Sequence, residues 1–145
     1  YELEKRLEAA GYTAKCLFIS GSRVPSIPEP NPIYHLPDEE FKRELGRFEG
    51  TPKEVLENQE LLDFFLPMLR ADFTMDETYY DKAGIVLHTP IAAFGGEKDG
   101  EADESAILEW GKYTDNDFNY RIFPGGHFYL RDCEDEVISE VMRLL

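Results

Sequence analysis

Apolar residues recur along this chain in two rhythms, helical stripes and short continuous runs, and their order outlines an architecture. Leu3, Leu7 and Ala10 fall at helical spacing, and Gly11 supplies a stop, so the chain is expected to open in a helix. The run Ala14-Lys15-Cys16-Leu17-Phe18-Ile19 then ends at Ser20-Gly21-Ser22 and reads as a buried parallel strand. Prolines 25, 28, 30, 32 and 37 forbid regular structure and predict an extended excursion away from the sheet. Asp38 suits a helix cap, and Phe41, Leu45 and Phe48 give that helix one apolar face. Gly50-Thr51-Pro52 closes it and opens another, with Thr51 as cap, Pro52 at the first helical position, and Val55 and Leu56 on the apolar side.

A longer helical pattern starts at Glu60 and carries Leu61, Leu62, Phe64, Phe65, Leu66, Met68, Leu69, Phe73 and Met75. It is apolar over more than half its circumference, and Pro67 predicts a kink or a division in two. Such breadth fits a helix buried between neighbours, or a lid whose inner face lines an acyl pocket. Ile91-Ala92-Ala93-Phe94-Gly95-Gly96 is the next strand. A capped helix follows, with Ile107, Leu108 and Trp110 inward and Gly111 near its end. Asn116-Asp117 turns the chain into a strand over 118–123, and 135–145 forms an amphipathic helix with Val137, Ile138, Val141, Met142 and Leu145 on one side. The expected fold is an α/β layered domain with a mainly parallel sheet and an inserted helical cap. No internal repeat or low-complexity segment occurs.

At 145 residues the chain is about one domain long. Its formal net charge of −15 disfavours nucleic acid or an anionic membrane as a partner, because the long-range field has the wrong sign. No apolar run reaches the length of a membrane span, and no secretory leader opens the sequence. Cys16 and Cys133 show no metal spacing and fit a reducing compartment, so a cytoplasmic location is expected. A start inside a helical pattern, without Met, suggests part of a longer protein.

The candidate chemistry lies after the second and third strands. Arg121-Ile122-Phe123-Pro124-Gly125-Gly126-His127-Phe128 places a histidine just past a glycine break at a strand's carboxyl end, where open α/β sheets put their sites. Glu97-Lys98-Asp99 follows the preceding strand. Adjacent parallel strands bring both carboxyl ends to one edge, so Asp99 could orient one nitrogen of His127 and leave the other to take a proton from a nucleophile. The alternative is an exposed loop acid and a histidine that caps a turn. Glu97 and Asp103 compete as the orienting acid, although Asp103 also suits the cap of the following helix. Ser20 and Ser22 do not satisfy the Gly-x-Ser-x-Gly elbow. Cys16, Cys133, His35 and His88 read as structural, and no metal site or phosphate-binding glycine loop is expected.

Several segments together resemble the type II thioesterases that accompany nonribosomal peptide and polyketide synthases, members of the α/β-hydrolase superfamily. They are Ile33-Tyr34-His35-Leu36-Pro37-Asp38 with Phe41; Gly50-Thr51-Pro52 with Val55 and Leu56; and Leu69-Arg70-Ala71-Asp72-Phe73, which looks like the lid-helix motif. Thr89-Pro90-Ile91 with Gly95-Gly96 and Asp99, then Phe123-Pro124-Gly125-Gly126-His127-Phe128, look like the acid and histidine motifs.

The resemblance implies a partial, three-layer α/β-hydrolase fold over 1–145, its C-terminal portion, with residues 38–80 as the helical lid. It implies release of acyl or aminoacyl groups from the phosphopantetheine arm of an acyl or peptidyl carrier protein, without a bound cofactor. His127 would be general base and then acid, Asp99 its orienting partner, and Phe65, Leu69 and Phe128 substrate contacts. The family's Gly-His-Ser-x-Gly elbow does not occur here, which implies a nucleophile supplied by a further segment or a second chain, and inactivity of these residues alone. A noncatalytic module that binds an acyl group or an acylated carrier is the alternative. Because carrier proteins of such systems are acidic too, docking would need a local basic patch such as Lys5, Arg6 and Arg23.

Overall fold

Three parallel strands, β1 (Leu17–Ser20), β2 (Ile91–Gly96) and β3 (Phe118–Phe123), stand side by side in chain order. Leu17 is opposite Ile91, and Ile91 opposite Phe118. The computed structural model describes residues 1–48 and 50–145. They form two compact units, Tyr1–Val24 with Ala83–Leu145, and Pro25–Lys82.

The first unit holds the sheet. Every residue of β2 is buried, as a continuous apolar run in the middle of a parallel sheet must be. Alternation divides its side chains between two cores. Ile91 and Ala93, with Ile19, pack with Ile107, Trp110 and Tyr113 on one face, below helix α5 (Glu104–Leu108) and the 3-10 turn Glu109–Tyr113. Ala92, Phe94 and Phe123 pack with Tyr129 and Cys133 on the other, beneath α6 (Tyr129–Asp132) and α7 (Glu134–Leu144). This unit is therefore three layers deep.

Several side chains depart from the sequence pattern, each for a tertiary reason. The expected strand over 14–19 begins only at Leu17, because the Ala14 amide turns aside to the Glu4 carboxylate at 3.1 Å. In α1 (Glu2–Ala9), Leu3 of the apolar stripe is 70% exposed while Glu4 is buried. This helix docks through carboxylates: Glu4 and Glu8 lie 2.5 and 2.8 Å from the Thr89 hydroxyl. Leu108 is exposed because Ile107 and Trp110, three residues apart, share the inward face, and a residue two before Trp110 points to the opposite side. On α7 the packed positions are Val137, Val141 and Leu144, while Ile138, Met142 and Leu145 face solvent. Buried Glu140 shares the inward face, held by Arg121 from β3 and by Arg143.

The second unit comprises α2 (Asp38–Leu45), α3 (Lys53–Leu56) and α4 (Gln59–Thr78) around Ile33, Phe41, Leu45, Leu62 and Leu66. Two caps are shifted from expectation. Asp38 is the first helical residue rather than the cap, and its carboxylate is drawn to Arg70 at 2.7 Å. Pro52, not Thr51, precedes α3. Pro67 does not divide α4, which is one helix of 20 residues capped by the Asn58 side chain. Its apolar circumference is only partly used: Phe64, Met68 and Met75 are exposed, and Leu62 and Leu66 are buried. The proline-rich segment is anchored from α4, where Arg70 donates to the carbonyls of Tyr34 and Leu36 and lies 4.3 Å over the Phe41 ring. Among the described residues, no helix is long and apolar enough to cross a membrane.

Candidate active site

The ends of β2 and β3 are strapped together by backbone. The amides of Glu97 and Lys98 donate to the carbonyls of Phe123 and Gly125 at 2.9 and 2.8 Å. At Gly96 a side chain would collide with the carbonyl of Gly126, so this glycine permits an approach that no other residue allows. Gly125 turns the chain with φ +117, a region reserved for glycine. The straps leave Asp99 and His127 facing each other at one edge of the sheet.

His127 Nδ1 lies 2.9 Å from Asp99 Oδ2. The Asp99 side chain is fully buried, and that of His127 is 36% exposed. The second Asp99 oxygen accepts the amides of Glu101 and Ala102 at 2.9 and 3.1 Å, so the buried carboxylate is satisfied on both sides. With Nδ1 engaged, Nε2 is the nitrogen left for proton traffic. The Phe128 ring stands edge-on to the imidazole at 5.2 Å.

The competing acids are elsewhere. Glu97 is exposed, and Asp103 caps α5 by accepting the Ala106 amide at 2.9 Å. A hydrogen bond from Ser105 is the first cause holding the Asp103 carboxyl below its ordinary value, followed by that amide. Of the two serines, Ser20 Oγ is 2.7 Å from the Tyr129 hydroxyl, and Ser22 Oγ donates to its neighbour's carbonyl at 3.2 Å. Burial pushes both cysteine thiols up, away from the thiolate a nucleophile requires. His35 is exposed. His88 has an acid partner that spacing did not reveal: Asp115, 2.9 Å from Nδ1. That hydrogen bond is the main cause raising the His88 pKa, with the charges of Asp115 and Glu8 adding.

Phe65 and Leu69 lie half-buried on α4 in the second unit, with Leu69 packed against the core around Phe41. Phe128 belongs to the first unit, and Arg131 lies 4.4 Å over its ring. Within the expected basic patch, Lys5 pairs with Glu2, and Arg23 donates to the Glu101 carbonyl.

Two residues beside the Asp–His pair were not singled out from sequence. A Cβ at Gly21 would meet the imidazole and the carboxylate together, and buried Tyr129 binds Ser20. Their contacts join separate strand ends, so no local spacing announces them. The only local signal was a glycine after an apolar run.

A sequence model of the thioesterase domain family matches residues 1–145. Thioesterase PikA5 of Streptomyces venezuelae is 34% identical over 131 residues, covering 90% of this chain and 47% of that protein. Gramicidin S biosynthesis protein GrsT of Aneurinibacillus migulanus is 38% identical over 130 residues, covering 89% and 51%. The chain thus spans about half the length of these curated relatives. Among solved structures, YbtT, a type II thioesterase from the yersiniabactin NRPS/PKS pathway, superposes with a TM-score of 0.88 at 30% identity, over 98% of this chain and 58% of that one. The type II thioesterase BorB from the borrelidin cluster gives 0.83 at 32%, over 99% and 59%. The fold is accordingly the α/β-hydrolase one, seen in part.

Proposed function

The chain belongs to the thioesterase domain family, and on that premise we propose that it supplies the acid–base half of an editing thioester hydrolase. The proposed substrate is an acyl or aminoacyl group on the phosphopantetheine arm of a carrier protein in nonribosomal peptide or polyketide assembly. The relatives PikA5 and GrsT, and the neighbour YbtT, support that assignment by their descriptions. The observation that carries the mechanism is the 2.9 Å contact between His127 Nδ1 and Asp99 Oδ2 at a strand-end edge.

In this reading a serine hydroxyl attacks the thioester carbonyl while His127 Nε2 takes its proton. Asp99 keeps the tautomer that leaves Nε2 unprotonated and steadies the imidazolium. That proton then passes to the departing pantetheine sulfur as the C–S bond breaks. Water, deprotonated by the same nitrogen, attacks the acyl-serine ester and releases the acid, and the proton returns to serine. The sequence contains no Gly-x-Ser-x-Gly, so the serine comes from polypeptide beyond these residues, and these residues alone are inactive. Phe65 and Leu69 in the second unit, and separately Phe128 in the first, are proposed substrate contacts, and the proposed location is the cytoplasm.

The test is hydrolysis of an acyl-pantetheine thioester by the full-length protein and by its His127→Ala variant. Serine-reagent-sensitive hydrolysis that the variant loses by about 10³-fold or more supports the reading. Undiminished hydrolysis by His127→Ala, or tight acyl-carrier binding without any turnover, refutes it.

A further inference from the structure

Resting on the hydrolase reading above, we propose that the turn leaving β1 is the positioning surface for the His127 imidazole, and that Gly21 sets the orientation of the ring. Gly21 has φ +57, and a Cβ built there would lie 3.1 Å from Cε1 of His127, 3.4 Å from its Nδ1 and 3.5 Å from Asp99 Oδ2. A side chain on this turn would therefore crowd the ring and touch the carboxylate, which places the bare turn just beyond both members of the pair. A ring held by one hydrogen bond keeps freedom to tilt about it. A second, rigid contact at its edge fixes the plane, and with it the direction in which Nε2 points.

The turn is itself held from four sides. The Gly21 amide donates to the Phe94 carbonyl at 2.8 Å, continuing the β1–β2 ladder. Trp110 Nε1 donates to the Ser22 carbonyl at 2.8 Å. Arg23 donates to the carbonyl of Glu101, whose amide binds Asp99, so the turn is tied to the loop that carries the acid. Ser20 Oγ meets the Tyr129 hydroxyl at 2.7 Å, which ties it to the segment carrying the histidine. Tyr129 is fully buried and stacked on Phe123 at 5.2 Å with a 4° interplanar angle, so that hydroxyl is a fixed post. The turn thus references acid and base to one rigid frame.

The experiment uses the full-length protein with three substitutions in and around the turn, read by steady-state kinetics and by the ring ¹⁵N chemical shifts of His127, assigned against His127→Gln. Gly21→Ala is expected to lower kcat by about 10–100-fold with KM within about twofold, the mark of a misplaced group rather than lost binding. Its His127 ring shifts should move toward those of an untethered imidazole. Gly21→Asn, which accepts a positive φ but still carries Cβ, should behave alike. Recovery by Gly21→Asn would trace the loss to backbone strain and overturn the proposal. Unchanged ring shifts and kcat in Gly21→Ala would overturn it as well. Should the Gly21 variants not fold, Tyr129→Phe decides: kcat lowered about 3–10-fold with shifted ring signals supports the frame, and neither change refutes it. If the wild-type protein hydrolyses no thioester, the functional reading fails, while the ring shifts still decide the positioning role.

Discussion

Both carboxylate oxygens of Glu77 reach the backbone amide of Ile33, at 3.0 and 2.9 Å, and one also takes the amide of Tyr34 at 2.7 Å. Glu77 and Arg70 stand two helical turns apart on one side of α4, so one helix secures both amides and carbonyls of a segment that prolines bar from regular structure. Such a segment has no ladder of its own to satisfy its polar groups.

Replacing Glu77 by Ala should therefore uncouple this segment. The buried Ile33 amide and the part-buried Tyr34 amide lose their acceptor, which costs about 2–4 kcal/mol. Hydrogen exchange at Ile33 and Tyr34 should accelerate while amides in β2 keep their protection. Uniform acceleration through the chain would show that Glu77 acts on global stability instead.

Thr89 is the corresponding joint before β2. Its hydroxyl lies against Glu4 and Glu8, its amide donates to Glu8 at 2.8 Å, and its carbonyl accepts from Thr114 at 2.8 Å. Thr89→Val keeps the shape and removes the hydroxyl, leaving buried Glu4 with one partner fewer, at a cost of about 1–3 kcal/mol. Urea unfolding with an unchanged m-value and a lower midpoint checks this. An unchanged midpoint would mean that water replaces the hydroxyl without penalty.

These two joints mark where sequence reasoning stops. The strands were legible because a buried parallel run leaves a continuous apolar signature, as in Ile91-Ala92-Ala93-Phe94. The Asp103 cap was legible because its partner, the Ala106 amide, is three residues away. The apposition of Asp99 and His127 follows from the adjacency of two parallel strands. Asp38 read as a helix cap, and Glu4 drew no notice, because their partners, Arg70 and Thr89, are remote in sequence. The same distance hid the Asp115 partner of His88 and the nearness of the Gly21 turn to the imidazole. Periodicity reports which face is buried. It carries no record of which polar group waits there.

The His88–Asp115 pair gives a pH dependence whose sign is set. The His88 pKa is raised in the folded chain, chiefly by the hydrogen bond to Asp115. Its stabilisation is therefore complete below the unfolded histidine value of about 6.5 and disappears as pH rises through the higher folded value. The pair is exposed, so the effect is small and screened by salt. The Tm difference between wild type and His88→Gln should be larger near about pH 5.5 than near about pH 8.5, and should shrink in high salt. A difference that grows with pH would contradict the assignment.

Asp99→Asn tests the proposed orienting acid against its rival. The substituted side chain could still accept the Glu101 and Ala102 amides through its oxygen, so the loop should persist. Its amide nitrogen would then face His127 Nδ1 as a donor and hold the imidazole in the tautomer that is protonated on Nε2, unable to accept a proton there. In the full-length protein, kcat for an acyl-pantetheine thioester should fall by about 10³–10⁴-fold with little change in Tm. Asp103→Ala should do the reverse, costing about 1 kcal/mol as α5 loses its cap while activity below Tm is kept. Loss of activity with Asp103→Ala and its retention with Asp99→Asn would exchange the two roles, and the buried carboxylate beside His127 would then be a structural anchor.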